Sequence, residues 1–191
     1  MIIKNFLITG PPASGKTSLL KRIITKLKER QLVIGGIFCP EVRIKGKRWG
    51  FKVIDILTSA EGILASVEIK SRYRVSKYGV DINTFERIGV NAILTAIRNA
   101  DIIVIDEIGK MELFSLAFQE AVRKALDSRK PVIGVIAFRY NHPFIQEVKR
   151  RQDTKLYVLF KHTTESMRAK IEEEIYQKII SFWGLYENKR V

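Results

Sequence analysis

The stretch "GPPASGKTSLL", residues 10–20, decides the fold of this 191-residue chain. Gly10, four further residues and then Gly15-Lys16-Thr17 give the pattern Gly-x-x-x-x-Gly-Lys-Ser/Thr. The apolar run "IIKNFLIT" (2–9) precedes it, and the amphipathic run "KTSLLKRIITKLKER" (16–30) follows it. A strand, a glycine-rich turn and a helix in this order predict a loop that wraps a phosphate group.

Each defined position of the loop has a physical reason. Gly10 and Gly15 allow dihedral angles that side chains hinder, so that successive N–H groups point at a β-phosphate. Lys16 places a cation between the β- and γ-phosphates, and the Thr17 hydroxyl is a ligand for Mg²⁺. The residues expected to contact the nucleotide form the whole loop: Gly10, Pro11, Pro12, Ala13, Ser14, Gly15, Lys16, Thr17 and Ser18.

A second stretch, "DIIVIDEIGKMEL" (101–113), supplies carboxylates. Four apolar residues lead to Asp106, which is expected at the carboxyl edge of a sheet, where it holds Mg²⁺ together with Thr17. Glu107 comes next and is placed to orient and deprotonate a water that faces the γ-phosphate. Glu112 is a secondary candidate, since it fits equally well as an acid in the first turn of the next helix.

The rest of the chain alternates strands with helices. This order predicts an α/β protein with a mostly parallel sheet covered on both faces, a three-layer fold in one domain over residues 1–191. Residues 40–70 differ, because "EVRIKGKRWGFKVIDIL" (41–57) alternates and turns at Lys45-Gly46-Lys47. We expect an antiparallel hairpin insertion there. A helix is expected from Asp81 as N-cap, another from Glu112, and a last one over about 164–183.

Composition sets the broader limits. A net charge of +14 favours polyanionic partners, either nucleotides or nucleic acid, but it also fits a thermophilic protein with surface ion pairs. Cys39 is the single cysteine, and His142 and His162 lack the spacing of metal ligands. There is no run of apolar residues as long as a membrane span and no signal peptide, so we expect a cytoplasmic protein with no membrane contact. A monomer is favoured, but the sequence leaves the oligomeric state open.

The segment "VIDEIGKMELFS" (104–115) resembles the THEP-type nucleoside-triphosphatase family, P-loop enzymes similar to the human cancer-related nucleoside triphosphatase. "GIFCPEVRIKGKRWGFKV" (36–53) and "RYRVSKYGVDINTFERIGV" (72–90) carry the same resemblance. It implies the P-loop NTPase fold and Mg²⁺-dependent hydrolysis of nucleoside triphosphates (ATP, GTP, CTP and UTP) to diphosphate and phosphate. It also implies broad base tolerance, and it supports the loop residues, Asp106 and Glu107 in the functions given above.

Two positions depart from the family's pattern. The family often has Arg-Val-Gly-Lys-Tyr where this chain has Ser76 in place of glycine, which reduces the backbone freedom of that turn. Near the C-terminus an Asn-Arg pair is common in the family, whereas this chain has Ser166-Met167, followed by Arg168.

An efficient hydrolase needs a further cation to stabilise the charge that develops on the γ-phosphate. We favour Lys110 and Arg139, since each follows an apolar strand at the expected ligand edge. The other candidates are Arg43, Arg48, Arg74 and Lys77. Trp49, Phe51, Tyr73, Tyr78 and Tyr140 are candidates for stacking on a base, although packing within the protein is the more common fate of such rings.

Three functions fit these observations. The Asp106-Glu107 pair favours an NTP hydrolase. A nucleotide or nucleoside kinase needs an arginine-rich lid, and "KRRQDTK" (149–155) is the segment that resembles one. The basic, aromatic hairpin over 43–52 instead favours a nucleic-acid-binding protein driven by NTP.

Overall fold

The computed structural model describes residues 2–187, and one ten-stranded sheet runs through them. The strands are β1 (Asn5–Thr9), β2 (Ile34–Phe38), β3 (Glu41–Ile44), β4 (Lys47–Asp55), β5 (Glu61–Ser66), β6 (Arg74–Val75), β7 (Tyr78–Val80), β8 (Ile102–Ile108), β9 (Val132–Ile136) and β10 (Thr154–Val158). The helices are α1 (Lys16–Glu29), α2 (Ile82–Phe85), α3 (Asn91–Asn99), α4 (Leu116–Asp127), α5 (Pro143–Lys149) and α6 (Glu165–Glu187).

The sheet has a parallel half and an antiparallel half. Its order is β10-β1-β9-β8-β2-β4-β5-β7-β6, with β3 paired to β4. The first five strands in this order are parallel to one another, and the pairing becomes antiparallel from β2 to β4 onward. The predicted α/β fold, with a mostly parallel sheet and an antiparallel insertion, is therefore confirmed.

Alternating side chains along the parallel strands feed two separate hydrophobic cores. Ile8 and Val104 pack on the face that α1 and α6 cover, whereas Leu7 and Ile105 pack on the opposite face. The second face is covered by the chain from α2 to α5. Helices on both faces of the sheet give the three predicted layers.

The antiparallel half is larger than predicted. The hairpin of β3 and β4 turns at Lys45 (φ 50) and Gly46 (φ 75), as expected for a two-residue turn in which both residues have positive φ. However, β6 and β7 extend the insertion to Val80, beyond the predicted limit at residue 70. The short β6–β7 hairpin gave little periodic signal because each of its strands has only two or three residues.

Two predicted helices are broken. Asp81 caps α2, its carboxylate accepting from the Thr84 N–H at 2.9 Å, but a π-helical turn over Glu86–Val90 separates α2 from α3. The helix expected from Glu112 is wrong in its first turn. Glu112–Phe114 forms a 3₁₀ turn, and α4 begins after Ser115, whose hydroxyl accepts from the Phe118 N–H at 2.9 Å. A serine N-cap inside an apolar run overrides the periodicity.

No helix within residues 2–187 has both the length and the apolar character needed to cross a bilayer.

Candidate active site

The phosphate loop joins β1 to α1 as the sequence predicted. Gly10 (φ 152) and Gly15 (φ 86) both have positive φ. At Gly10 a side chain would also collide with the carbonyl oxygen of Leu159, which lies 2.0 Å from where a Cβ would stand. Gly10 is therefore required by its positive φ and by the close approach of the Leu159 carbonyl, and Gly15 is required by its left-handed backbone.

The Lys16 ammonium group lies inside the loop. It donates to the carbonyl oxygens of Gly10 and Pro11, each at 3.0 Å. These two carbonyls hold the cation at the place where the β- and γ-phosphates of a nucleotide are expected to bind. The loop is thus already folded around its positive charge.

Thr17, in the first turn of α1 after β1, contacts Asp106 on β8, although β9 lies between β1 and β8 in the sheet. The Thr17 hydroxyl donates to the Asp106 carboxylate at 3.5 Å. Asp106 is 3% exposed, and its burial, together with the nearby charge of Glu107, raises its pKa to about 7. Lys21, the Thr17 hydroxyl and Lys16 oppose this rise in the pKa without cancelling it.

These two oxygen donors fit a Mg²⁺ ion. Burial and the neighbouring charge of Glu107 raise the pKa of Asp106 to about 7, and a bound divalent cation would stabilise its carboxylate form. Within residues 2–187 there is no group of three or more His, Cys, Asp or Glu side chains able to hold a metal. A site of one hydroxyl and one carboxylate is the arrangement expected where phosphate oxygens and water complete the shell of Mg²⁺.

Glu107 lies near the carboxyl end of β8, where the pairing with β9 is irregular between Ile105 and Ile108, and its carboxylate is desolvated. Burial raises the pKa of Glu107, while Lys16 opposes the rise. A Cβ added at Gly109 would stand 2.9 Å from a carboxylate oxygen of Glu107 and 2.9 Å from one of Glu112. Both carboxyl groups therefore lie against Gly109, and a side chain there would have to displace them.

Glu112, ranked second by the sequence, is a buried part of this site. It is 5% exposed, and burial, followed by the charge of Glu107, raises its pKa to about 8. Its carboxyl group is consequently protonated at neutral pH. A protonated carboxyl beside Glu107 adds no further negative charge near the phosphates.

Lys110 and Arg139, the two cations that the sequence favoured, lie at the predicted edge of the sheet, and their role in stabilising charge on the γ-phosphate stays a prediction. Lys110 and Arg139 are exposed and follow β8 and β9. The Lys110 ammonium group lies 5.0 Å from the centre of the Tyr140 ring, and the Arg139 guanidinium lies 5.2 Å from that of Phe138. Both side chains rest on aromatic rings at the rim of the site.

Three basic residues near the site were not predicted to belong to it, although Lys149 begins the predicted lid segment and Arg168 was noted beside Ser166-Met167. Lys21 lies one turn after Thr17 on α1, and this four-residue spacing is the signal that could have found it. Lys149 donates to the carbonyl oxygens of Ala137 (2.6 Å) and Phe138 (2.8 Å) and so holds the loop after β9. Arg168 donates to the Ser14 carbonyl at 2.7 Å. Contacts of the last two with distant carbonyls leave no pattern in the sequence.

A phosphate loop after β1, a buried Asp106 opposite Thr17 and a carboxylate beside it define a P-loop nucleotide-binding protein. The family model described as NTPase matches residues 5–176. Nucleoside-triphosphatase THEP1 of Thermofilum pendens is 43% identical over 176 residues, which are 92% of this chain and 97% of that protein. The chain belongs to this NTPase family.

Two solved structures agree with this assignment. The crystal structure of THEP1 from the hyperthermophile Aquifex aeolicus has a TM-score of 0.79 and 34% identity, covering 92% of this chain and 98% of that one. The solution structure of a human cancer-related nucleoside triphosphatase has a TM-score of 0.72 and 33% identity, covering 91% and 95%. The predicted resemblance to this family is confirmed.

Proposed function

We propose that the protein hydrolyses nucleoside triphosphates to the diphosphate and phosphate with Mg²⁺, and that Glu107 activates the attacking water. The position of Glu107 carries this proposal. Its carboxylate directly follows Asp106, which contacts Thr17 across the sheet, so it lies where the γ-phosphate is expected to project from the loop. The family relationship supports hydrolysis as the reaction.

In this mechanism the phosphate loop binds the nucleotide, one carboxylate helps to hold Mg²⁺ and the other accepts the proton from water. The loop N–H groups and Lys16 hold the β- and γ-phosphates, and Thr17 and Asp106 would hold Mg²⁺, which neutralises charge on the phosphate oxygens when bound. Glu107 accepts a proton from water while the water oxygen bonds to the γ-phosphorus and the bond to the β-phosphate oxygen breaks. Burial raises the pKa of Glu107, which makes its carboxylate a stronger base than an exposed one.

The structure argues against the kinase alternative. A lid must reach the phosphates at the carboxyl edge of the sheet. Of the predicted lid segment, residues 149–155, Lys149 reaches the loop after β9, but residues 150–153 lead into β10 at the opposite edge and 154–155 begin that strand. The carbonyl oxygen of Asp153 accepts from the N–H groups of Lys4 and Asn5 at the start of β1. Arg151 of this segment pairs with Asp153 and Asp127 instead of with a ligand.

Phosphate release without an acceptor tests the proposal. Purified protein with Mg²⁺ and each of ATP, GTP, CTP and UTP should release one phosphate for each diphosphate formed. Glu107→Gln should reduce kcat by about 10²–10⁴-fold and leave nucleotide affinity nearly unchanged, since only the proton acceptor is lost. Glu120→Gln, on the exposed face of α4, is the matched control. Strict dependence of phosphate release on an added nucleoside or nucleotide acceptor would contradict the proposal.

Nucleic acid remains a second candidate partner, for one specific reason. The turns of β3–β4 and β6–β7 both extend past the carboxyl ends of β2 and β5, and they carry the exposed side chains of Lys45, Lys47 and Lys77. If these lysines contact phosphates, the affinity for single-stranded nucleic acid falls steeply with salt. No binding at low salt would exclude this partner, and equal binding by a variant with all three lysines changed to glutamine would exclude these lysines as the contact.

A further inference from the structure

Three aromatic rings lie together beside the phosphate loop, and none of them belongs to the machinery described above. We call Phe138, Phe160 and His162 the Phe160 platform. The His162 ring is parallel to that of Phe160, at 4° and 5.4 Å between centres, and Phe138 meets Phe160 edge-on at 6.0 Å. Phe160 is 39% exposed. Part of its aromatic surface therefore faces solvent, while the rest contacts the two neighbouring rings.

The platform is attached directly to the phosphate loop. Phe160 and His162 follow β10 and Phe138 follows β9, and both of these strands pair with β1. The carbonyl oxygen of Leu159 fills the space beside Gly10. Arg168 joins the two segments. Its guanidinium donates to the Ser14 carbonyl at 2.7 Å, to that of Thr163 at 3.2 Å and to that of Phe160 at 3.4 Å.

The direction of the bound nucleotide follows from the order of the strands. Asp106 and Glu107 are on β8, two strands from β1 on one side, and the γ-phosphate must point toward them. β10 lies next to β1 on the other side. The nucleoside therefore leaves the loop on the side of β10, where the Phe160 platform lies.

We propose that the nucleobase of the bound nucleoside triphosphate stacks on the exposed ring of Phe160, beside which His162 stacks in parallel. Arg168 is the positioning residue that fixes this platform relative to the phosphate loop. A ring without donors or acceptors recognises every base through its π-face, so the site accepts purines and pyrimidines alike. The inference rests on the proposed function only because it concerns the same nucleotide, for which it identifies the residues that contact the base.

Three of the five aromatic residues that the sequence suggested, Phe51, Tyr73 and Tyr78, pack in the antiparallel half, whereas Tyr140 stacks on His142 beneath Lys110. Phe51 packs edge-on against Tyr78 at 5.4 Å, and Tyr73 packs against Phe114 at 5.3 Å. Phe51, Tyr73 and Tyr78 belong to the antiparallel half or the loop leading into it, and Phe114 belongs to the 3₁₀ turn that follows β8. Their contacts are those of packing within the protein.

Binding of two ligands that differ only in the nucleoside tests the proposal. In a Glu107→Gln background, which prevents turnover, the affinities for Mg²⁺ with ATP, GTP, CTP or UTP and with inorganic triphosphate are measured by calorimetry. Adding Phe160→Ala should weaken every nucleotide by about tenfold, purines most, because stacking on one ring contributes about that factor. The affinity for inorganic triphosphate should not change, since it has no base.

Two further variants complete the test. Phe114→Ala removes a ring of similar exposure (36%) and should change neither affinity. Phe160→Trp keeps a platform, and its added fluorescence should be quenched by nucleotides but not by inorganic triphosphate. The proposal is overturned if Phe160→Ala weakens inorganic triphosphate as much as ATP, if it weakens no nucleotide, or if the added fluorescence responds equally to both ligands. Phosphate release by the unaltered protein is a separate readout, so a failure of hydrolysis is distinguishable.

Discussion

Glu107 and Glu112 each place a carboxylate oxygen 2.9 Å from the point where a Cβ added at Gly109 would stand. Gly109→Ala inserts a methyl group at this point. We expect both carboxyl groups to move aside at small cost in stability, because each oxygen is the free end of a flexible side chain. Turnover should fall by about tenfold or more, since a general base must stay within hydrogen-bonding reach of its water. Single-turnover kinetics and a melting curve together check this, and normal turnover would contradict it.

The protonated state of Glu112 predicts a pH-dependent stability. The folded protein holds a proton at a pKa of about 8, whereas the unfolded chain releases it near the ordinary value of 4.5. As pH rises between these two values, the free energy of unfolding should therefore decrease, by about 1.4 kcal/mol per pH unit at most for one proton.

Glu112→Gln keeps the neutral shape and should remove this decrease. Urea titrations at pH 5, 7 and 9 should show the variant gaining on the parent protein as pH rises. Glu120→Gln, exposed on α4, controls for the loss of one charge. An equal difference in stability at all three pH values would show that Glu112 is ionised in the folded protein.

Asp106 predicts how cation binding depends on pH. Its pKa is about 7 because of burial and the charge of Glu107, and a cation binds the carboxylate form. The affinity for Mg²⁺ in the presence of nucleotide should therefore fall as pH drops from 8 to 6, and binding should release protons below pH 7. Calorimetry in two buffers of different ionisation enthalpy measures this release. Asp106→Asn should abolish the pH dependence, and an unchanged proton count in that variant would contradict the assignment.

The sequence predicted the parts of this site that are local in the chain and missed those made by long-range packing. The phosphate loop is one continuous segment, and Asp106 and Glu107 directly follow an apolar strand, so their pattern shows in the letters. Arg168, by contrast, contacts a carbonyl 154 residues away. The burial of Glu112 also depends on Ser115. The hydroxyl of Ser115 caps α4, so this helix begins after Ser115 and not at Glu112, where the apolar period predicted its start.

The turn between β6 and β7 contains a strained residue that glycine would relieve. Ser76 has φ 54, a left-handed conformation that costs a residue with a Cβ about 1 kcal/mol relative to glycine. Ser76→Gly should stabilise the protein by up to about 1 kcal/mol, because the gain in the turn is partly offset by the greater freedom of glycine when unfolded. A thermal melt measures it. Ser71→Gly, in the preceding loop, is the comparison and should not stabilise.

Arg151 separates a structural role from the lid function that a kinase would require. Its guanidinium pairs with Asp127 at 2.7 Å and Asp153 at 2.9 Å, and Lys4 pairs with Asp153 at 3.3 Å. Burial raises the pKa of Asp153, but Arg151 and Lys4 outweigh it and hold that pKa below its ordinary value. Arg151→Ala should therefore cost about 1–3 kcal/mol of stability, since it leaves a nearly buried carboxylate with one cation.

Turnover per folded molecule should be unchanged in Arg151→Ala, because this ionic cluster lies at the amino edge of the sheet, away from the phosphates. Denaturant titration and steady-state kinetics at a temperature well below the melting point check the two halves of the prediction separately. Arg150→Ala, whose side chain is exposed next to it, should change neither quantity. A large loss of kcat in Arg151→Ala with normal stability would instead place this arginine over the phosphates and restore the kinase interpretation.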